Sequence, residues 1–201
     1  MISERQRSLS SVAFAVLLAA STILVGLMAG FFYAYACSVM VGLDRVDDRT
    51  FIVTMQWINA TVRNAAFAPA FFGSLVLTIA AAVVALVSGH SARGWIVAAT
   101  VLYAAAFLVT LTLNVPLNEQ LAAAGPADQI SDPAAVRAAF EGPWVRWNLL
   151  RTGLTLGSLI ALSIALLATT SQRSEPSDTA EPASGAIKHV AVHRLERVAR
   201  R

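Results

Sequence analysis

The sequence predicts an all-α integral membrane protein: an up-down four-helix bundle with a short interfacial helix before the fourth helix and a disordered, basic C-terminal tail. Three observations carry this. Ser8 to Leu43, Asn64 to Ala92, Gly94 to Asn118 and Thr152 to Gln172 contain no Asp, Glu, Lys or Arg, and about 20 apolar residues suffice to cross a bilayer. Hydrophobic residues make up 57% of the 201, charged residues only 13%, and mean hydropathy is +0.64, values outside the range of water-exposed globules. The period-two alternation of a membrane barrel is absent, and in lipid a helix is the remaining way to satisfy the backbone.

Residues 1–10 read as a short polar lead, 11–170 as the membrane domain, 171–186 as a linker and 187–201 as a basic amphipathic tail. The first apolar run is far longer than the roughly 7 to 15 residues of a signal-peptide core, so it is read as a retained membrane helix. It can continue to Leu43, with the aromatic set Phe31-Phe32-Tyr33-Ala34-Tyr35 suited to the interface.

After the charged turn Asp44 to Thr50, Thr50 is the expected N-cap of a second helix starting near Phe51. Gln56, Asn59 and Arg63 then share one face, and Pro69 is expected to kink the helix. Residues 88–94 form a turn into the third helix, which ends in Asn114-Val115-Pro116-Leu117-Asn118. Here Pro116 releases the carbonyl of Thr112 between two amides on one face.

Asp132-Pro133 marks the start of the short helix Pro133 to Glu141, and Gly142-Pro143 is expected to close it. In the fourth helix Trp144, Trp147, Asn148 and Arg151 fall on one face. Gly26-x-x-x-Gly30 and Gly153-x-x-x-Gly157 predict a close crossing of helices one and four. The tail from 171 is rich in Ser, Glu, Pro and Thr before a basic helix.

In an up-down bundle, one membrane face collects the polar residues: Tyr33, Tyr35, Cys37, Gln56, Asn59, Arg63, Asn114, Asn118, Asn148 and Arg151, with Trp57 and Trp147. The other face carries little beyond Ser88, His90, Arg93 and Ser171. Both termini share that second side, which has nine basic against five acidic residues, whereas the polar face has six against seven. Positive charge inside then places the protein in the cell membrane as a multi-pass chain with cytoplasmic termini.

The lone Cys37 forms no internal disulfide or thiolate cage, and His90, His189 and His193 all lie outside the polar cluster. No metal or organic cofactor is therefore expected; the partners expected are membrane lipids, a hydrophobic small molecule and a second copy of the chain, not nucleic acid. The aromatic residues also suit an ordinary interfacial belt, and the arginines suit snorkelling.

Asn114-x-Pro116-x-Asn118 closing helix three and Trp144-x-x-Trp147-Asn148-x-x-Arg151 opening helix four stand beside the stretches Gly30-Phe31-Phe32-Tyr33-Ala34 and Gln56-Trp57-Ile58-Asn59. With these motifs the chain resembles the anthrone oxygenase-like membrane family over roughly Val12 to Thr169. The resemblance implies oxidation of a planar lipophilic molecule by O2, independent of a cofactor. An acidic methylene loses a proton, and the enolate reacts with oxygen. Arg151, Asn114, Asn118 and Asn148 are the candidates for stabilising the oxyanion, and Glu119 is the candidate base. Tyr33, Gln56, Asn59 and Trp147 are the candidates for holding the ring. A non-catalytic protein that binds a lipid, quinone or partner helix is the alternative.

Overall fold

The computed structural model describes residues 4–174. Residues 171–174 of the expected linker are the helical end of the last span, and the rest of the linker and the basic tail lie outside the described residues. In chain order the helices are α1 (Glu4–Ala34), α2 (Met40–Leu43), α3 (Asp48–Thr61), α4 (Phe67–Val87), α5 (Arg93–Val109), α6 (Val115–Ala123) and α7 (Pro133–Ser174). A π-helical segment, Tyr35–Val39, joins α1 to α2, and a second, Thr110–Asn114, joins α5 to α6.

Four helical runs are long and apolar enough to cross a membrane: Leu9–Leu43, Phe67–Val87, Arg93–Ala123 and Pro133–Thr170. The 21 residues of α4 span about 31 Å at ~1.5 Å per residue, close to the ~30 Å hydrocarbon core. The other three runs have 35, 31 and 38 residues. α4 thus sets the membrane thickness, and the longer helices continue past it into a cap.

Two cores follow from this length difference. The membrane core packs Leu18, Val25 and Met28 of α1 against Phe71 and Ala85 of α4, Ile96 and Ala99 of α5, and Leu162 of α7. Across it Tyr103 Oη donates to the Phe71 carbonyl at 2.8 Å, and Ser158 Oγ to that of Ala99 at 2.8 Å. Large apolar side chains such as Leu27, Val76, Leu108 and Ile160 stay exposed on the outside, as lipid contact requires. The cap core packs Met40, Phe51, Ile52 and Met55 against Leu121, Phe140 and Trp144.

Four local expectations change. Asp47, not Thr50, caps α3: its carboxylate accepts from the Arg49 and Thr50 amides and from the Thr50 hydroxyl at 2.5 Å. The carboxylate is the stronger acceptor for two orphan amides, and Thr50 becomes a donor to it. Pro69 kinks nothing, because the chain breaks earlier. The Asn64 side chain accepts from Ala66 and Phe67 and starts α4, leaving Pro69 in its first turn, where a missing N–H costs little.

The Gly142-Pro143 stop is also overridden, since α7 is one 42-residue helix with Pro143 inside it. The segment Pro133–Glu141 is therefore the start of helix four rather than a separate interfacial helix. Contacts on both sides of Pro143 hold the two parts in line: Phe140 and Trp144 are both in the cap core, and Arg137 is anchored to Glu141, Asp48 and the carbonyls of Leu43 and Val46. As expected, Asp132 caps its start by accepting from Ala135. Finally, the two glycine motifs do not face each other, although Gly26 of helix one does meet a side chain of helix four. A Cβ at Gly26 would meet Leu159 at 3.6 Å, Gly157 faces Leu102 of α5, and Gly30 and Gly153 have nothing within 4 Å. α4 packs along α1, and α7 also touches α1 through Asn148 and Arg151 at Phe32.

Candidate functional site

The polar residues gather where the two cores meet. Both π-helical segments lie there, and such bulges re-aim side chains by inserting a wider turn. In the second, the Val115 amide bonds to the Thr110 carbonyl, five residues back, a register that carries the helix into Pro116. Thr110 and Asn114 at its two ends are both buried.

Arg151 is the centre of the cluster and only 5% exposed. Its guanidinium lies over the Phe32 ring at 4.4 Å and the Trp144 ring at 5.4 Å, one from each core. It donates to Asn148 Oδ1 at 3.0 Å and to Thr110 Oγ1 at 3.5 Å. Asn148 in turn donates to the Phe32 carbonyl at 3.0 Å, so α1 fixes the amide that orients Arg151. Asn114 Nδ2 donates to the Trp144 carbonyl at 3.4 Å, and Trp144 Nε1 to Asn118 Oδ1 at 2.9 Å.

This arrangement leaves two buried atoms of the cluster without a partner, Arg151 Nε and Asn114 Oδ1. Every ion pair among the described residues belongs to Arg137. Arg151 is therefore a buried cation with no carboxylate beside it. A charge in that position costs several kcal/mol of desolvation, which aromatic faces and two neutral acceptors offset only in part. Its field is available to any negative charge developing nearby.

Beside the cluster lies a cleft of about 170 Å³ between α3 and α6. Gln56, Asn59, Arg63, Phe67, Asn118 and Glu119 are on its walls. Asn59 Nδ2 is buried without a partner, whereas Gln56 Nε2 donates to the Leu121 and Gly125 carbonyls, both at 2.9 Å. Asn118 belongs to cleft and cluster at once through its bond to Trp144.

The structure thus divides the sequence-derived site in two. Asn114, Asn148 and Arg151 form the buried cluster; Gln56, Asn59, Asn118 and Glu119 line the cleft. Tyr33 and Trp147 enter neither as ring-holding groups: Tyr33 is 54% exposed, and Trp147 is half-buried and lines neither this cleft nor the larger groove beside it. The aromatic surfaces at the site are Phe67 in the cleft and, in the cluster, Phe32, Trp144 and Tyr35, whose ring packs 5.4 Å from that of Trp144. Phe32 and Thr110 were not legible as site residues: Phe32 is an apolar ring in regular α1, and Thr110 opens the second π segment, which straight α-helical spacing does not anticipate. Trp144 falls on the Arg151 face by its spacing, but Trp147 is the residue expected to hold the ring in its place.

Among the described residues no group of three or more His, Cys, Asp or Glu side chains is placed to hold a metal ion. Residues 64–161 match the family model described as anthrone oxygenase. Over that stretch the chain is similar to the anthrone oxygenase family. The matched region contains Asn114, Asn118, Trp144, Asn148 and Arg151 and ends before the last turns of α7. No curated protein and no solved structure matches the chain.

Proposed function

We propose that this anthrone oxygenase-like membrane protein oxidises a planar lipophilic small molecule with O2 at the cap-side membrane face, using its own residues and no organic cofactor. The observation that carries the reading is Arg151, a buried cation without a carboxylate, next to a cleft whose Asn59 amide lacks a partner.

In this reading the ring lies in the cleft against Phe67 and Val115, with its carbonyl toward the amides of Asn59 and Asn118. Glu119 takes a proton from the methylene, and the negative charge moves to the ring oxygen. The fields of Arg151 and Arg63 stabilise that enolate. The enolate then reacts with O2: one oxygen atom becomes the new carbonyl, the other leaves as water with the two methylene hydrogens. The cap faces away from the cytoplasm, as the charge distribution implies.

Oxygen uptake by membranes containing the protein tests this on addition of an anthrone. Uptake above the spontaneous rate, lost in Arg151→Met membranes of equal expression, supports the reading. Equal rates in both and in empty membranes remove it. The second reading, a non-catalytic membrane protein that holds a lipid, quinone or partner helix, is favoured by the sealing of Arg151 between Phe32 and Trp144.

A further inference from the structure

The cleft is not isolated. A larger open groove of about 740 Å³ shares Gln56, Ala60 and Ala122 with it. The two form one trough between α3 and the α6 end of the third span. α3 and α6 run antiparallel along it, since Thr50 and Val53 line it with Ala122 and Gly125, whereas Asn59 lines it with Val115 and Asn118. The α3 residues along the trough run from Arg49 to Ala60, a length of about 17 Å at ~1.5 Å per residue, and Arg63 follows just past the helix end.

The two parts differ in chemistry. In the large groove the polar side chains of α3 are already bonded within the protein. Arg49 donates to the Ala127 and Ile130 carbonyls, Thr50 donates to Asp47, and Gln56 donates to two carbonyls. What remains, apart from Asp128, is largely apolar: Val53, Trp57, Ala60, Ala122, Pro126 and Ala127. Trp57 is 67% exposed there. In the small cleft the reverse holds. Asn59 Nδ2 has no partner, and Arg63 and Glu119 face the same space without pairing with each other.

We infer that the natural ligand is an aromatic ring bearing a long apolar chain: the small cleft takes the oxygenated ring, and the α3–α6 groove takes an alkyl or prenyl tail. A compact ring would leave the larger, apolar part of the trough empty. A simple fatty chain would leave the unpaired polar groups of the cleft unanswered. The inference rests on the oxidation reading above for what happens to the ring, but not for where the tail lies.

The test uses the full chain in lipid nanodiscs and two anthrones, one unsubstituted and one carrying a dodecyl chain on a ring carbon remote from the methylene. A third probe carries bromines near the end of that chain and quenches tryptophan on contact. The expected result is at least tenfold higher kcat/KM for the chain-bearing ring, a preference lost in Val53→Trp, whose indole fills the groove. Quenching by the brominated chain is expected in the wild type and is much reduced in Trp57→Phe.

Equal kcat/KM for both rings, unmoved by Val53→Trp, with no quenching traceable to Trp57, overturns the groove assignment while leaving the oxidation reading intact. Quenching at Trp57 without turnover of either ring keeps the groove assignment and removes the oxidation reading. Neither turnover nor quenching overturns both. Equal quenching at Trp57 by a brominated phospholipid, undisplaced by the chain-bearing anthrone, assigns the groove to membrane lipid and also overturns the inference.

Discussion

Replacing Arg151 by Met separates a residue kept for stability from one kept for its charge. Met has a similar reach but neither charge nor donors, and the side chain it replaces is 5% exposed. The loss includes a charged hydrogen bond to Asn148 at 3.0 Å, about 2 kcal/mol. Contacts with the Phe32 and Trp144 rings add about 1 kcal/mol each. Asn148 Oδ1 loses its donor, which costs about 1–3 kcal/mol.

Against these stands the desolvation of an unpaired guanidinium, several kcal/mol, which the variant no longer bears. The two sides nearly cancel, and the net change is expected within about 2 kcal/mol, or a few degrees in Tm for a chain of this size. Turnover, by contrast, is expected to fall about 10²- to 10³-fold, the usual effect of removing one stabiliser of a developing oxyanion. Thermal unfolding in detergent and single-turnover kinetics in nanodiscs measure the two separately. A loss of more than about 4 kcal/mol with turnover per folded molecule unchanged would refute the reasoning and make Arg151 a structural residue.

Three further predictions concern the cap and its sidedness. Arg137→Ala removes the 2.7 Å pair with Glu141, the 3.1 Å pair with Asp48, the bonds to the Leu43 and Val46 carbonyls and the contact over Phe51. It is expected to destabilise the cap by roughly 3 kcal/mol; hydrogen exchange should accelerate across 44–61 and not in the membrane half of α5. The bonds from the Thr50 hydroxyl and amide, and from the Arg49 amide, hold Asp47 below its ordinary value of 3.8. The α3 cap therefore contributes stability that is complete above the ordinary aspartate range and is lost as pH falls through the lower folded value; an Asp47→Asn variant should lack that acid-dependent loss of α3 helicity, followed by circular dichroism. With Cys37→Ala as background, a cysteine placed at exposed Asp128 should react with a membrane-impermeant maleimide in intact cells, and labelling only after lysis would reverse the assigned orientation.

Much of the fold was legible because lipid imposes a single solution on long uncharged runs. The runs ending at Leu43, near Val87, near Asn118 and near Thr170 are the spans of the structure. What was not legible depended on tertiary contacts. Pro143 is a stop signal locally, yet Arg137 and Phe140 bind the turns before it to α2 and α3. Gly26 and Gly30 have the spacing of a close crossing, but nothing approaches Gly30. At the site, Asn114, Asn148 and Arg151 were legible from helical spacing alone. Phe32 rather than its neighbour Tyr33 meets the guanidinium, and Tyr35 and Thr110 sit at the starts of the two π segments, across which straight α-helical spacing does not carry.

The most direct test of the central claim, that Arg151 stabilises an enolate, removes oxygen altogether. Under strictly anaerobic conditions in deuterated buffer, the protein in nanodiscs should accelerate exchange of the anthrone methylene hydrogens above the spontaneous rate, and Arg151→Met should return exchange to that rate. Exchange no faster than in empty nanodiscs, in a preparation that binds the ring, would contradict the claim.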